Sequence, residues 1–299
     1  MPVKQLELDL LPQLHNVDIR AKRHVLSRVL EGSWVAMLKG RGMEFAGFRQ
    51  YTYGDDASRI DWNATLRAKD VLVREFEEYK AVSVFFLLDV NDTMLFTSTA
   101  KLKCEYAAEM TFNLATAILD AGDSIGYALF NDQIIAKQMP SIGHEVIYRL
   151  ATDLQNGDHY GGKRDLKQAI KLVNGMFRQR NLIILISDFL DLSEGWERYI
   201  RMLSSRSDLI GIMVRDPHDS FLPLEGLQVV VQDPAGKSQL LIDLKQYAAR
   251  YEAENKAGEA YIKNVFDTAK AGFLRVDTSR DPFDQLIGYF RKRGKFMKV

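Results

Sequence analysis

Ser83-Val84-Phe85-Phe86-Leu87-Leu88-Asp89-Val90-Asn91-Asp92-Thr93 is the stretch on which the fold turns. Residues 83–88 form a continuous apolar run of the kind a strand buried on both faces requires, and the run stops at a carboxylate. The pattern returns in Leu182-Ile183-Ile184-Leu185-Ile186-Ser187-Asp188, and residues 209–214 are a third such run. Helical spacing lies between them. Residues 101–121 carry Leu102, Tyr106, Met110, Leu114, Ala117 and Ile118 on one stripe, and further helices are expected at 145–154, 165–177 and 196–204. Alternating strands and helices with doubly buried strands imply an α/β fold, a mostly parallel sheet with helices on both faces. Ligands collect at the carboxyl ends of the strands in such sheets, where Asp89 and Asp188 both sit.

The rest of the chain arranges itself around that core. Asn131-Asp132 turns a strand at 125–130 into a partner at 133–138, a hairpin. A smaller hairpin at 227–242 interrupts the repeat before a long helix at 245–271, a strand at 273–276 and a last helix at 281–293. Upstream, residues 17–38 have apolar positions at Val25, Leu26, Val29 and Leu30 among Arg20, Lys22, Arg23 and Arg28, which reads as a surface helix with a solvated basic face. Residues 43–79 lack helical periodicity and are rich in turn signals such as Tyr53-Gly54-Asp55-Asp56, with one strand expected at 71–76. The chain therefore divides into an N-terminal extension, residues 1–79, and an α/β domain, residues 80–299.

Forty Lys+Arg balance forty Asp+Glu in 299 residues, a formal net charge of zero. A protein that coats nucleic acid or an anionic membrane needs a basic excess, so those tasks are not expected here. Hydrophobic residues at 46% argue against disorder, and the longest strongly apolar segment, 81–90, falls far below the ~20 residues that span a bilayer. Cys104 is the only cysteine, which excludes an internal disulfide and a multi-cysteine metal site. The start of the chain places Glu7 and Asp9 where a signal peptide would be apolar. A reducing, cytoplasmic location is the expectation.

Asp89, Asn91 and Thr93 stand at positions i, i+2 and i+4 of a tight loop, where carboxylate, amide and hydroxyl oxygens can converge on a hard ion such as magnesium. The same residue types also serve as ordinary caps and turn formers. The arrangement resembles the D-x-S-x-S element of von Willebrand factor A domains, whose metal-ion-dependent adhesion site also uses a threonine and a second aspartate, here matched by Asp188. An upstream block makes the resemblance more specific. Gly40-Arg41-Gly42-Met43-Glu44-Phe45, Arg49-Gln50-Tyr51, Gly54-Asp55-Asp56, Ile60-Asp61-Trp62, Arg67 and Val73-Arg74-Glu75-Phe76 are similar to the signature of domain-of-unknown-function family 58. That family joins such a segment to a von Willebrand factor A domain and is typically encoded beside MoxR-type AAA+ ATPases.

The resemblance implies a non-enzymatic interaction module, an adaptor or target-recognition partner of a MoxR-type ATPase, with magnesium as the implied cofactor of its adhesion site. One departure bears on that ion. The family's G-G-T-[DN]-L segment stands here as Gly161-Gly162-Lys163-Arg164-Asp165-Leu166, with one extra residue. Anchoring on the glycines puts Lys163 in place of the threonine, and anchoring on Asp165-Leu166 puts Arg164 there. Either cation could neutralise Asp89 and Asp188 by a charge-assisted bond, so weak or absent metal binding is expected. The alternative reading is a magnesium-dependent hydrolase using the same carboxylates, with Asp92 and Asp191 as spare acids but no evident base or nucleophile. In the signature block, Arg49, Arg67 and Arg74 could pair with Glu44, Asp55, Asp56, Asp61 or Glu75 as an interdomain brace, or the block, including Arg41 and Trp62, could be a docking surface.

Overall fold

The strands, in chain order, are β1 (Met43–Gln50), β2 (Leu72–Glu78), β3 (Ser83–Asp89), β4 (Ser124–Phe130), β5 (Ile134–Ser141), β6 (Leu182–Ser187), β7 (Asp208–Arg215), β8 (Val229–Gln232), β9 (Gln239–Ile242) and β10 (Gly272–Asp277). The helices are α1 (Val17–Trp34), α2 (Trp62–Thr65), α3 (Lys103–Asp120), α4 (His144–Gln155), α5 (Leu166–Met176), α6 (Glu197–Arg206), α7 (Pro217–Ser220), α8 (Leu244–Thr268) and α9 (Pro282–Phe296). This computed structural model describes residues 6–34, 43–68, 70–78, 82–177, 181–222, 229–232, 239–242 and 244–296. Arg41 and the flanking Gly40 and Gly42 lie outside the described residues, as do the end of the first expected helix and the start of the 227–242 hairpin.

The central sheet has the order β10-β7-β6-β3-β4-β5, parallel except for β5, which runs antiparallel to β4 at one edge. The chain starts in the middle with β3, winds outward through β4 and β5, then returns to the other side of β3 with β6. The order therefore reverses between β3 and β6, and a crevice opens at their carboxyl ends. Asp89 and Asp188 flank it.

Period-two alternation explains why the strands are apolar without interruption. Val84, Phe86 and Leu88 of β3 and Leu182, Ile184 and Ile186 of β6 face one core, with Met110, Leu114 and Ile118 of α3. Phe85, Leu87, Ile183 and Leu185 face the other, with Ala169, Ile170 and Val173 of α5, Ile200 and Leu203 of α6, and Phe266 of α8. The α/β architecture with both faces covered is as expected. Cys104 is a small core residue, its thiol pushed up to about 12 by burial. Among the described residues no helix is long and apolar enough to cross a membrane.

Two local readings change. The basic face of α1 is not wholly solvated: α1 packs on α3 and α9, burying Leu26 and Leu30, and Arg23 is itself buried and donates to the Gln13 carbonyl. Arg20, Lys22 and Arg28 remain exposed. The second change is β1, a strand the periodicity does not announce. It pairs antiparallel with β2 as a separate two-stranded ribbon, and its register shifts between Phe45 and Gly47, where a glycine interrupts the pattern.

The β4–β5 edge shows how closely backbones approach here. A Cβ added at Gly126 would lie 2.6 Å from the Pro140 nitrogen and 2.7 Å from the Gln138 carbonyl oxygen, at the bulge in that pairing. Backbone atoms cannot step aside as a flexible side chain can. Gly126→Ala is expected to cost roughly 1–3 kcal/mol in a urea unfolding titration. A midpoint equal to that of the wild type would show that the edge strand accommodates the methyl group.

Candidate functional site

The loop after β3 is held by its own side chains. Asn91 caps the short turn that follows, accepting from the Met94 amide at 3.3 Å and from the Thr93 hydroxyl at 2.9 Å. The Asn91 backbone N–H in turn donates to Asp89 Oδ1 at 3.2 Å. Across the crevice, the Ser187 hydroxyl at the end of β6 donates to Asp89 Oδ2 at 2.6 Å, and Asp188 Oδ1 accepts from the Leu190 amide at 3.1 Å. Sequence spacing therefore brings together Asp89, Asn91, Thr93 and Asp188, but their oxygens are already engaged.

The loop before α5 delivers the cation. Gly161 and Gly162, both at positive φ, let the backbone double back against the Asp89 loop. Gly161 N donates to the Val90 carbonyl at 2.7 Å, and Gly162 N donates to Asp92 Oδ1 at 2.9 Å. Asp165 then caps α5 by accepting from Gln168 N at 3.0 Å. This lacing aims Arg164 inward. Its Nη1 lies 3.0 Å from Asp89 Oδ2 and 2.9 Å from Asp188 Oδ1, with the side chain only 4% exposed. Lys163 is exposed. The choice that spacing leaves open between the two falls to Arg164.

A second cation completes the site. Lys103, the first residue of α3, is fully buried, and its Nζ lies 2.9 Å from Asp188 Oδ2 and 2.9 Å from Asp219 Oδ2. Asp219 belongs to α7, where it also accepts from the Asp216 amide. The charges alternate as Asp89, Arg164, Asp188, Lys103, Asp219. Asp188 touches both cations, one through each oxygen. Burial alone would raise its carboxyl, but Lys103 and then Arg164 outweigh burial and hold it below the usual carboxylate range. Asp89 faces one cation only; there burial outweighs Arg164 and pushes the carboxyl up. Burial also works against the Arg164 charge, and the attraction of Asp89 and Asp188 overcomes it.

These residues do not fit a magnesium ion. Mg²⁺ requires oxygens at about 2.0–2.1 Å in a near-octahedral shell. Here a guanidinium nitrogen stands between the two carboxylates that would be its anchors, and the Asn91 oxygen is committed to Thr93 and Met94. Among the described residues no group of three His, Cys, Asp or Glu is placed to hold a metal. Of the spare acids, Asp92 is spent on the glycine loop and Asp191 is exposed.

Sequence reasoning missed Lys103, Ser187 and Asp219. For Lys103 a signal was present: positions 103, 107, 110, 114 and 118 form one stripe of α3, all buried, so a lysine at its head must be buried and needs acids. Asp219 had no such signal.

The signature segment folds onto itself. Arg49 makes a bidentate pair with Asp55 at 2.6 and 2.7 Å, and the Thr52 amide and hydroxyl donate to the same carboxylate. Arg49 holds the Asp55 carboxyl well below its usual range. Asp56 caps the short turn at 57–59, and Asp61 caps α2 while accepting from Arg74 Nε at 2.8 Å. These pairs tie the ribbon's own loop rather than bridging domains. Trp62 is 64% exposed and Arg67 is exposed, while Glu44 lies on β1.

Comparison with known proteins adds a family. The profile described as "Protein of unknown function DUF58" matches residues 47–261. An uncharacterized protein of Mycobacterium tuberculosis is 26% identical over 290 residues, spanning 94% of this chain and 89% of its own length. Among solved structures, the conserved hypothetical protein BatB from Bacteroides thetaiotaomicron aligns over 72% of this chain and 100% of its own, with a TM-score of 0.47 and 18% identity. A von Willebrand factor type A structure from Catenulispora acidiphila aligns over 75% of this chain and 44% of its own, with a TM-score of 0.42 and 12% identity.

Proposed function

We propose, from the premise that this chain belongs to the DUF58 family of proteins of unknown function, that it is a protein-protein interaction module of the von Willebrand factor A kind whose strand-end site is closed by side-chain cations. Its role is that of adaptor or target-recognition partner of a MoxR-type AAA+ ATPase. The partner rests on the family resemblance. The closed, metal-free state rests on one observation, the Arg164 guanidinium seated between Asp89 and Asp188.

In a metal-dependent adhesion site a partner's carboxylate completes the ion's shell. Here Asp89, Asn91 and Asp188 are all buried, so the surface left to a partner is the rim around them, not the acids themselves. Recognition then depends on shape and rim charge and is indifferent to magnesium. Calorimetric titration of the wild type with magnesium chloride is expected to give no binding heat at millimolar concentrations. Its melting temperature should be the same in EDTA and in magnesium, because an ion that does not bind the native state cannot stabilise it. Tight binding that disappears in Asp89→Asn would overturn the reading. A MoxR-type ATPase retained only by the wild type, and only with magnesium, would do the same.

A further inference from the structure

Residues 6–10, ahead of α1, lie against the first turn of α3 and the last turn of α4. Their burial alternates: Leu8 and Leu10 sit in the core that β3, β6 and α3 share, Leu6 packs against it, and Glu7 and Asp9 face solvent. Two helix side chains hold the backbone of this segment. Glu105 Oε1, in the first turn of α3, accepts from the Glu7 amide at 2.6 Å, and Gln155, the last residue of α4, donates to the Leu8 carbonyl at 2.9 Å. Glu105 is buried and, among the described residues, makes no ion pair. Its other oxygen accepts from the Leu102 amide at 2.9 Å.

Each clamp leads to one of the two cations of the strand-end site. On the α3 side, the Leu102 amide that Glu105 caps immediately precedes Lys103. On the α4 side, the loop after Gln155 is folded back on the helix end. The Tyr160 hydroxyl donates to the Leu154 carbonyl at 2.7 Å and His159 Nδ1 lies 2.9 Å from the Asp153 carbonyl, so Gln155 is joined through a tied loop to Gly161, Gly162 and Arg164. Tyr160 is buried, and that burial, with Cys104 and Glu105 adding to it, pushes its hydroxyl well up.

We infer that residues 6–10 are a strap that locks the strand-end site, keeping Lys103 and Arg164 seated through Glu105 and Gln155. When the strap lifts, Glu105 Oε1 loses the Glu7 donor, and a buried carboxylate short of a donor turns toward water. That turn takes the Leu102 cap with it and loosens the head of α3. Gln155 loses its acceptor in the same event, and the loop behind Arg164 loses one of its stays. Among the described residues no hydrogen bond or ion pair joins the strap to Asp89 or Asp188, so its control of the site is indirect. The inference rests on the reading of a cation-closed site and adds what keeps it closed.

Hydrogen exchange of the full chain, read by mass spectrometry, tests this with Leu8→Ala as the strap variant. Residues 102–106 and 156–165 are expected to exchange about tenfold faster than in the wild type, while β6, inside the sheet, exchanges as before. Ile200→Ala opens a cavity in the core on the other face of the sheet and serves as the control for loss of stability alone. It should leave both segments at the wild-type rate. Gln155→Ala deletes one clamp and empties no core, so it should show the same pattern in smaller measure and reads the strap if Leu8→Ala does not fold. Unchanged exchange in both segments of a folded strap variant overturns the inference, and so does equal acceleration in Ile200→Ala. No magnesium enters the experiment: a wild type that binds the ion would sink the closed-site reading, whereas unchanged exchange in the strap variant sinks the strap alone.

Discussion

Replacing Arg164 by alanine is expected to lower stability by about 3–5 kcal/mol, because it leaves Asp89 and Asp188 facing each other in a dry crevice with one cation gone. For a chain of this size that corresponds to a fall of roughly 10 °C in melting temperature. The same substitution removes what keeps a metal out. Asp89, Asn91, Thr93 and Asp188 remain in place, so millimolar magnesium should recover part of the loss in Arg164→Ala while leaving the wild type unmoved. Scanning calorimetry of both proteins in EDTA and in magnesium reads the two effects together. A variant that melts with the wild type would show that the acids do not depend on Arg164, and a destabilised variant blind to magnesium would show that the oxygens cannot re-form a metal shell.

Replacing Lys103 by methionine fills the same volume without the charge and strands two acids, Asp188 Oδ2 and Asp219. A loss of about 3–5 kcal/mol is expected here as well. Magnesium should not rescue it, since Arg164 still stands between Asp89 and Asp188. The informative comparison is the pair Lys103→Met with Asp219→Leu. An apolar pair in place of an ion pair is often tolerated, so the double variant should be more stable than the sum of the singles predicts, by ~1 kcal/mol or more. Additive losses in urea titrations would mean that Lys103 and Asp219 act independently despite their contact.

How much of this could be read beforehand depends on the kind of signal. The sheet was legible because residues 83–88 and 182–186 have no polar face to hide, and a strand without a polar face has to lie inside. The acids at the crevice were legible because each terminates such a run. β1 was not, since Gly47 and the register shift beside it erase its alternation. The choice between Lys163 and Arg164 turned on one extra residue in a glycine loop, and only the backbone path through Gly161 and Gly162 decides which side chain points inward. Lys103 could have been found from its place on the α3 stripe. Asp219 could not, because its approach to Lys103 crosses 116 positions of chain through a one-turn helix that carries no periodicity. Arg49 and Arg74 of the signature segment were recognised as pairing residues, and the acids they take, Asp55 and Asp61, belong to the same segment.

One carboxylate, Asp188, grips Arg164 through one oxygen and Lys103 through the other. Arg164 leads into α5, Lys103 begins α3, and Lys103 reaches on to α7 through Asp219. The helices involved cover opposite faces of the sheet, so Asp188 works as a rivet through it. A pull on the start of α5 from one side is borne at the start of α3 on the other, without the β-strands between them having to bend.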